Sequence, residues 1–158
     1  MTCMFFTTIH PFGTMITANL LLEKFSQCQC WEERYRCLIL LGQKLPALHD
    51  ALKNNESELM GCENKVWLGY QRYKNNKLHF YGDSESRIVR GLLAVLLTTI
   101  EGKHPRELYG KDLLTLFFRL GLKENLSAGR TTGLYLLSDK VLQIAKNALH
   151  KCDVVVDT

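Results

Sequence analysis

Trp31, Tyr35, Leu38 and Leu41 recur three and four residues apart, with charged residues between them, and this stripe predicts an amphipathic helix ending at Gly42, placed as the residue past its last turn. Cys37 lies beside the stripe and reads as core. A shorter helix precedes it, capped by Thr17 and running to about Ser26, with Leu21, Leu22 and Phe25 at helical spacing. Leu45-Pro46 stops the second helix, because proline lacks the amide hydrogen and disfavours helix at the residue before it. A short helical turn near residues 47–53, a loop at Asn54-Asn55-Glu56-Ser57 and a short strand around Glu58 to Met60 follow.

From Val66 the period changes to two. Val66, Leu68 and Tyr70 face one way and Trp67, Gly69 and Gln71 the other, which is the alternation of a strand. A turn at Lys74-Asn75-Asn76-Lys77 leads to a second strand through Leu78 and Phe80 to about Gly82, giving a hairpin with one face for helices to cover. Trp67, on the other face, is expected to pack under a helix. The next helix, capped by Asp83 or Ser84, is apolar around most of its circumference from Ile88 to Leu97 and reads as the central buried helix. Gly91 inside it costs about 1 kcal/mol relative to alanine, which implies close packing at that point, against the sheet. Gly102 ends this helix and Pro105 starts a short one; Asp112 caps Leu113 to Leu120, ending at Gly121. Ser127 caps the last helix, whose stripe is Leu134, Leu137, Val141, Ile144, Ala148 and Leu149, while the tail 151–158 has no assigned element. Helices, then a hairpin, then helices describe an α+β fold, a small antiparallel sheet of about three strands packed by helices.

Composition narrows the function classes. At 158 residues, 46% hydrophobic and 23% charged, the chain reads as one domain, 1–158. The net charge of +4 is dispersed among acidic residues and forms no stripe for nucleic acid. The longest apolar run, Gly91 to Ile100, is far short of the roughly 20 residues that span a bilayer. The first residues lack a basic region before their apolar run, so a cytoplasmic location is expected. Six cysteines in such a setting read as reduced thiols, and Cys28-x-Cys30 lacks the second ligand pair of a zinc site, so no metal is expected.

One thiol has a distinctive setting. Gly61 frees the backbone for positive φ and close approach, and Cys62 follows it in a tight loop at the mouth of the first strand. On the residues alone, Cys62 is either a core cysteine opening a strand or a reactive thiol held by a rigid scaffold.

The stretch Gly61-Cys62-Glu63-Asn64-Lys65-Val66-Trp67-Leu68, followed by Gly82-Asp83-Ser84-Glu85-Ser86-Arg87-Ile88-Val89-Arg90-Gly91-Leu92, resembles the SufE family of sulfur acceptor proteins. The likeness extends to Trp31-Glu32-Glu33-Arg34-Tyr35-Arg36, Leu41-Gly42, Leu45-Pro46, Leu120-Gly121-Leu122, Leu126-Ser127 and Arg130, over roughly residues 10–148. His10-Pro11-Phe12-Gly13-Thr14 is similar to the CsdE branch of that family. The order and spacing of these short motifs, more than any one of them, make the likeness specific.

The resemblance implies that Cys62 accepts sulfur, as a persulfide, from a pyridoxal-phosphate cysteine desulfurase of the CsdA or SufS kind. That cofactor belongs to the partner, and this chain is expected to bind none. It also implies stimulation of the desulfurase, onward transfer to an acceptor such as iron-sulfur cluster assembly, and a fold related to iron-sulfur scaffolds. Glu63, Asn64 and Lys65 flank the thiol and are the docking candidates, with Gly61 as a hinge between a tucked and an extended position of the loop. Asp83 reads most simply as a helix cap and otherwise as a group near the thiol or the partner surface. Arg130, near a helix start where the dipole disfavours positive charge, is a candidate to pair with Asp83 or to contact the desulfurase. Gly129 stands before it where the family pattern has a serine. The other five cysteines fall outside the pattern and read as incidental. Two competing functions are an iron-sulfur scaffold, which needs about three converging ligands, and an adaptor that activates the desulfurase without carrying sulfur.

Overall fold

The structure is a computed structural model that describes residues 12–13 and 15–156, with side chains as far as residue 150. His10, Pro11, Thr14 and Cys3 therefore lie outside the described residues, as does the side chain of Cys152. Two helices, α1 (Ala18–Ser26) and α2 (Trp31–Gln43), precede an antiparallel hairpin of β1 (Val66–Arg72) and β2 (Leu78–Ser84). The buried helix α3 (Arg87–Ile100), two short helices, α4 (Pro105–Leu108) and α5 (Thr115–Arg119), and the long helix α6 (Ala128–Val156) complete it. The segment that the sequence leaves unassigned thus continues α6 to Val156. The architecture is the expected α+β arrangement.

Local chemistry sets most of these boundaries. Leu20 donates its amide to Thr17 Oγ1 at 3.3 Å, and Arg130 donates to Ser127 Oγ at 3.3 Å, so these two expected caps are formed, whereas Asp112 accepts from Leu114 N ahead of α5 and does not cap it. The cap of α3 is neither Asp83 nor Ser84 but Ser86, whose Oγ accepts from Val89 N. Pairing continues to Val66 opposite Ser84 and draws those two residues into β2, which leaves Ser86 as the hydroxyl at the helix start. Asn76 takes φ 67 in the hairpin turn, as that turn requires.

Val66, Leu68, Leu78 and Phe80 are buried on one face of the hairpin, in a core continuous with Leu92, Leu93 and Leu96 of α3 and Leu134, Leu137 and Val141 of α6. Each such side chain contributes about 1.5–3 kcal/mol by leaving water. On the other face Trp67 is 8% exposed. The segment around the 3₁₀ turn Asp50–Leu52 lies there, with the Lys53 ammonium 4.8 Å from the indole centroid.

The third strand shrinks to a single bridge, Glu58 opposite Trp67, flanked by bonds from Leu68 N to Ser57 O and from Leu59 N to Val66 O, both 2.8 Å. The ladder holds two strands where about three are expected, because the chain turns away at Met60-Gly61. Lys140 of α6 donates to Glu56 O at 2.9 Å and Ser57 O at 2.8 Å, which ties the last helix to this segment.

Gly42 and Gly91 both behave differently from the sequence reading. Gly42 lies inside the last turn of α2, and a Cβ there would be 2.7 Å from Gly91 N. Gly91 meets α2, not the sheet: a Cβ would be 2.8 Å from the Leu38 carbonyl carbon and closer still to its oxygen. The two helices cross backbone to backbone, and both positions must lack a side chain.

Candidate functional site

Six residues, Met60 to Lys65, leave the fold between Leu59 and Val66, whose hydrogen bond closes the base of the loop. Gly61 has φ +93, a conformation that L side chains rarely adopt, and a Cβ there would stand 3.2 Å from Leu136 Cδ1. The loop lies back against α6, which presents two glycines one turn apart. A Cβ at Gly133 would be 3.7 Å from Cys62 Sγ, and a Cβ at Gly129 would fall on the Glu63 carboxylate, 2.8 Å from Oε2. Gly129 is thus the residue that admits Glu63.

Cys62 is half-buried at the mouth of a small apolar cavity. Val66, Val89, Leu92, Leu134 and Leu137 line it, with Glu63, Asn64 and Arg130 also bordering it. Its free volume of about 30 Å³ admits one water-sized group. Burial pushes the Cys62 thiol up from its ordinary value, so the site stores a neutral, poorly nucleophilic thiol at neutral pH.

A rate follows from that direction. Alkylation of Cys62 by iodoacetamide in the isolated folded protein is expected to rise about tenfold per pH unit and to keep rising above pH 9, since only the thiolate attacks. At pH 8 it is expected to be slower than in the urea-unfolded chain, as a mass-spectrometric time course on the Cys62 peptide would show. A plateau below pH 9 would contradict the burial argument.

The remaining sequence candidates divide. Gly61, Glu63, Asn64 and Lys65 share the loop with the thiol, and Arg130 borders the same cavity. Asp83 is elsewhere. It is 5% exposed on the hairpin face opposite Val66, ion-paired with Arg90 and, at 3.8 Å, with Lys53, and it accepts from Leu48 N at 3.2 Å. Arg90 in turn donates to Gly42 O and Leu45 O, the carbonyls at the end of α2. Asp83 is therefore neither a helix cap, nor a neighbour of the thiol, nor a partner of Arg130; it fastens the hairpin, α3 and the segment after α2 together. Asp83→Ala is expected to cost about 2 kcal/mol in urea denaturation. That is below the 3–5 kcal/mol of a fully buried pair, because Arg90 and Lys53 stay partly hydrated. The folded fraction should retain the iodoacetamide reactivity of Cys62.

The cavity floor supplied by α3 and α6, and Gly133 in particular, escapes a residue-by-residue reading. Its one visible signal is the Gly129-x-x-x-Gly133 spacing, which places two side-chain-free positions on one helix face. Among the described residues no group of three or more His, Cys, Asp or Glu is placed to hold a metal ion, and no helix is long and apolar enough to cross a membrane.

Comparison with known proteins gives a consistent result. Residues 19–145 match the family model SufE, described as an Fe-S metabolism associated domain. The chain is 54% identical over 137 residues to the sulfur acceptor protein CsdE of Escherichia coli, covering 87% of this chain and 93% of that protein. It is 36% identical over 135 residues to an uncharacterized SufE-like protein of Rhizobium etli, covering 84% and 91% of the two chains. It is 33% identical over 138 residues to a SufE-like protein of Rhizobium meliloti, covering 85% and 99%.

Proposed function

This chain belongs to the SufE family, and from that premise we propose that it is a sulfur acceptor that takes sulfane sulfur from a cysteine desulfurase onto Cys62. The Cys62 thiolate attacks the outer sulfur of the donor's persulfide; the sulfur-sulfur bond breaks and the donor cysteine leaves as a thiolate, which takes up a proton equivalent to the one Cys62 gave up. Cys62 is left as a persulfide, and the transfer involves no net oxidation. Clearing the donor cysteine is how the chain stimulates the desulfurase, whose pyridoxal phosphate stays with that enzyme. A second exchange passes the sulfur to a downstream acceptor, such as iron-sulfur cluster assembly.

The observation that carries this reading is the space beside Cys62. A persulfide is a thiol lengthened by one atom, and the cavity offers room for one water-sized group with apolar walls that keep reductants away. Seating and attack make opposite demands, because burial protects the persulfide and blunts the thiol. The loop therefore has two positions in this mechanism, seated on α6 at rest and turned outward on docking, with Gly61 as hinge. Met60, 76% exposed beside the thiol, offers an apolar contact to the docked enzyme, together with Glu63, Asn64 and Lys65.

The test is incubation with a pyridoxal-phosphate cysteine desulfurase and cysteine, followed by mass spectrometry. The Cys62 peptide should gain about 32 Da, one sulfur atom, and lose it on adding dithiothreitol. No gain with a desulfurase that turns over would overturn the carrier reading in favour of an adaptor. Visible absorption after anaerobic iron and sulfide loading would overturn it in favour of a scaffold.

A further inference from the structure

Away from Cys62, two thiols that the family pattern does not contain meet across helices α1 and α2. Cys28, just past the end of α1, has its Sγ 3.5 Å from the Sγ of Cys37 in the body of α2. Both are half-buried and neither is sealed off. Cys28 borders an open cleft with Ser26, Arg34 and Arg119, and Cys37 borders another with Lys24 and Lys44. Cys30, two residues from Cys28, is exposed at the N-terminus of α2.

We propose that Cys28 and Cys37 are a redox-modification site that closes to a reversible disulfide under peroxide, stapling α1 to α2. Three observations support it. The sulfurs already touch, so closing the bond to about 2.05 Å requires a shift of less than 2 Å shared between two side chains. Both clefts admit a small oxidant. No metal-ligand group competes for the thiols among the described residues.

The reaction balances with hydrogen peroxide as oxidant. One sulfur attacks a peroxide oxygen, the O–O bond breaks, and hydroxide leaves and takes up the thiol's proton as water. The resulting sulfenic acid is attacked by the second sulfur, its S–O bond breaks, and a second water leaves with the second thiol's proton. The two sulfurs together give up two electrons, which the peroxide oxygens receive. Burial, then the contact with Cys37, pushes the Cys28 thiol up to about 11, so Cys28 rests protonated at neutral pH, and either sulfur can donate in the S–H···S contact.

The test uses the full chain carrying Cys62→Ser, so that the acceptor thiol takes no part and the outcome is independent of the proposed sulfur transfer. Peroxide should remove about 2 Da, reversibly with dithiothreitol. A tryptic digest should link the peptide 25–34 to the peptide 37–44. Because Cys28 and Cys30 share the first peptide, variants decide between them: Cys30→Ser should keep the link and Cys28→Ser should lose it. The oxidised form should melt roughly 5–10 °C above the reduced form. A link that survives Cys28→Ser, or peroxide that yields only overoxidised thiols with no link, would overturn the proposal. If Cys28→Ser fails to fold, oxidation of the parent chain in urea replaces it. The Cys28–Cys37 link should then give way to mixed pairings, and an unchanged link there would equally overturn the site.

Discussion

Cys62→Ser is expected to take up no sulfur at all: the gain of about 32 Da seen in the parent chain falls below detection, and desulfurase turnover returns to its unstimulated rate. Serine keeps the size of the side chain and loses the nucleophile. The hydroxyl is a far weaker nucleophile than a thiolate and forms no S–S bond. The same substitution should leave the melting temperature nearly unchanged. Cys62 is half-buried at a cavity mouth and no hydrogen bond among the described residues depends on its side chain, so little packing is lost. The contrast between complete loss of function and intact stability is what separates a working thiol from a core cysteine. Retained loading in this variant would mean that another thiol is the acceptor, and a large drop in stability would make Cys62 a packing residue.

The largest effect on stability is expected at Gly91. In an exposed helix a glycine-to-alanine change is worth about 1 kcal/mol in favour of alanine. At Gly91 the new methyl group would overlap the Leu38 carbonyl, and the atoms in the way are backbone on both sides, so no side chain can rotate to relieve it. Overpacking of this kind costs about 1–3 kcal/mol where neighbours can yield, and more where they cannot. The clash outweighs the propensity gain, and Gly91→Ala should lose about 3 kcal/mol, a fall of roughly 6–12 °C in Tm. Gly133→Ala is the internal control. There the methyl group would stand at ordinary contact distance, 3.7 Å from Cys62 Sγ, in a helix of the same fold. Its stability should hold or rise by up to about 1 kcal/mol. If both substitutions shifted Tm in the same direction, close contact between α2 and α3 would not be the controlling factor.

Gly42 and Gly91 also mark where sequence reading stops. The stripe through Trp31, Tyr35, Leu38 and Leu41, the period-two run from Val66, and the caps Thr17 and Ser127 are legible because each is a repeat or a bond within a few residues. Gly42 reads as the residue past the last turn and Gly91 as a tight spot against the sheet, yet Gly42 lies within that turn, and their shared contact joins residues 49 apart and leaves no local trace. Asp83 fails for the same reason. A cap is a local function and the simplest one to assign, while its real partners, Leu48, Lys53 and Arg90, come from two different segments. Cys62 is a third case. Periodicity leaves its role open, the resemblance to the family motif suggests the role proposed for it, and only the packing of α3 and α6 shows the cavity beside the sulfur.

The hydrogen bond from Leu59 N to Val66 O sets a tether length. Everything that moves with Cys62 lies between those two residues, and Cys62 is three residues from the nearer anchor. A fully extended chain spans at most about 3.6 Å per residue, so the Cys62 backbone can travel no further than roughly 11 Å from Leu59 while that bond holds. Under the proposed transfer, a protein docked on this face must therefore deliver its own sulfur to within a short, fixed radius of the hairpin's rim. Adding residues between Leu59 and Val66 would widen that radius and, by the same step, loosen the seat that shields the sulfur.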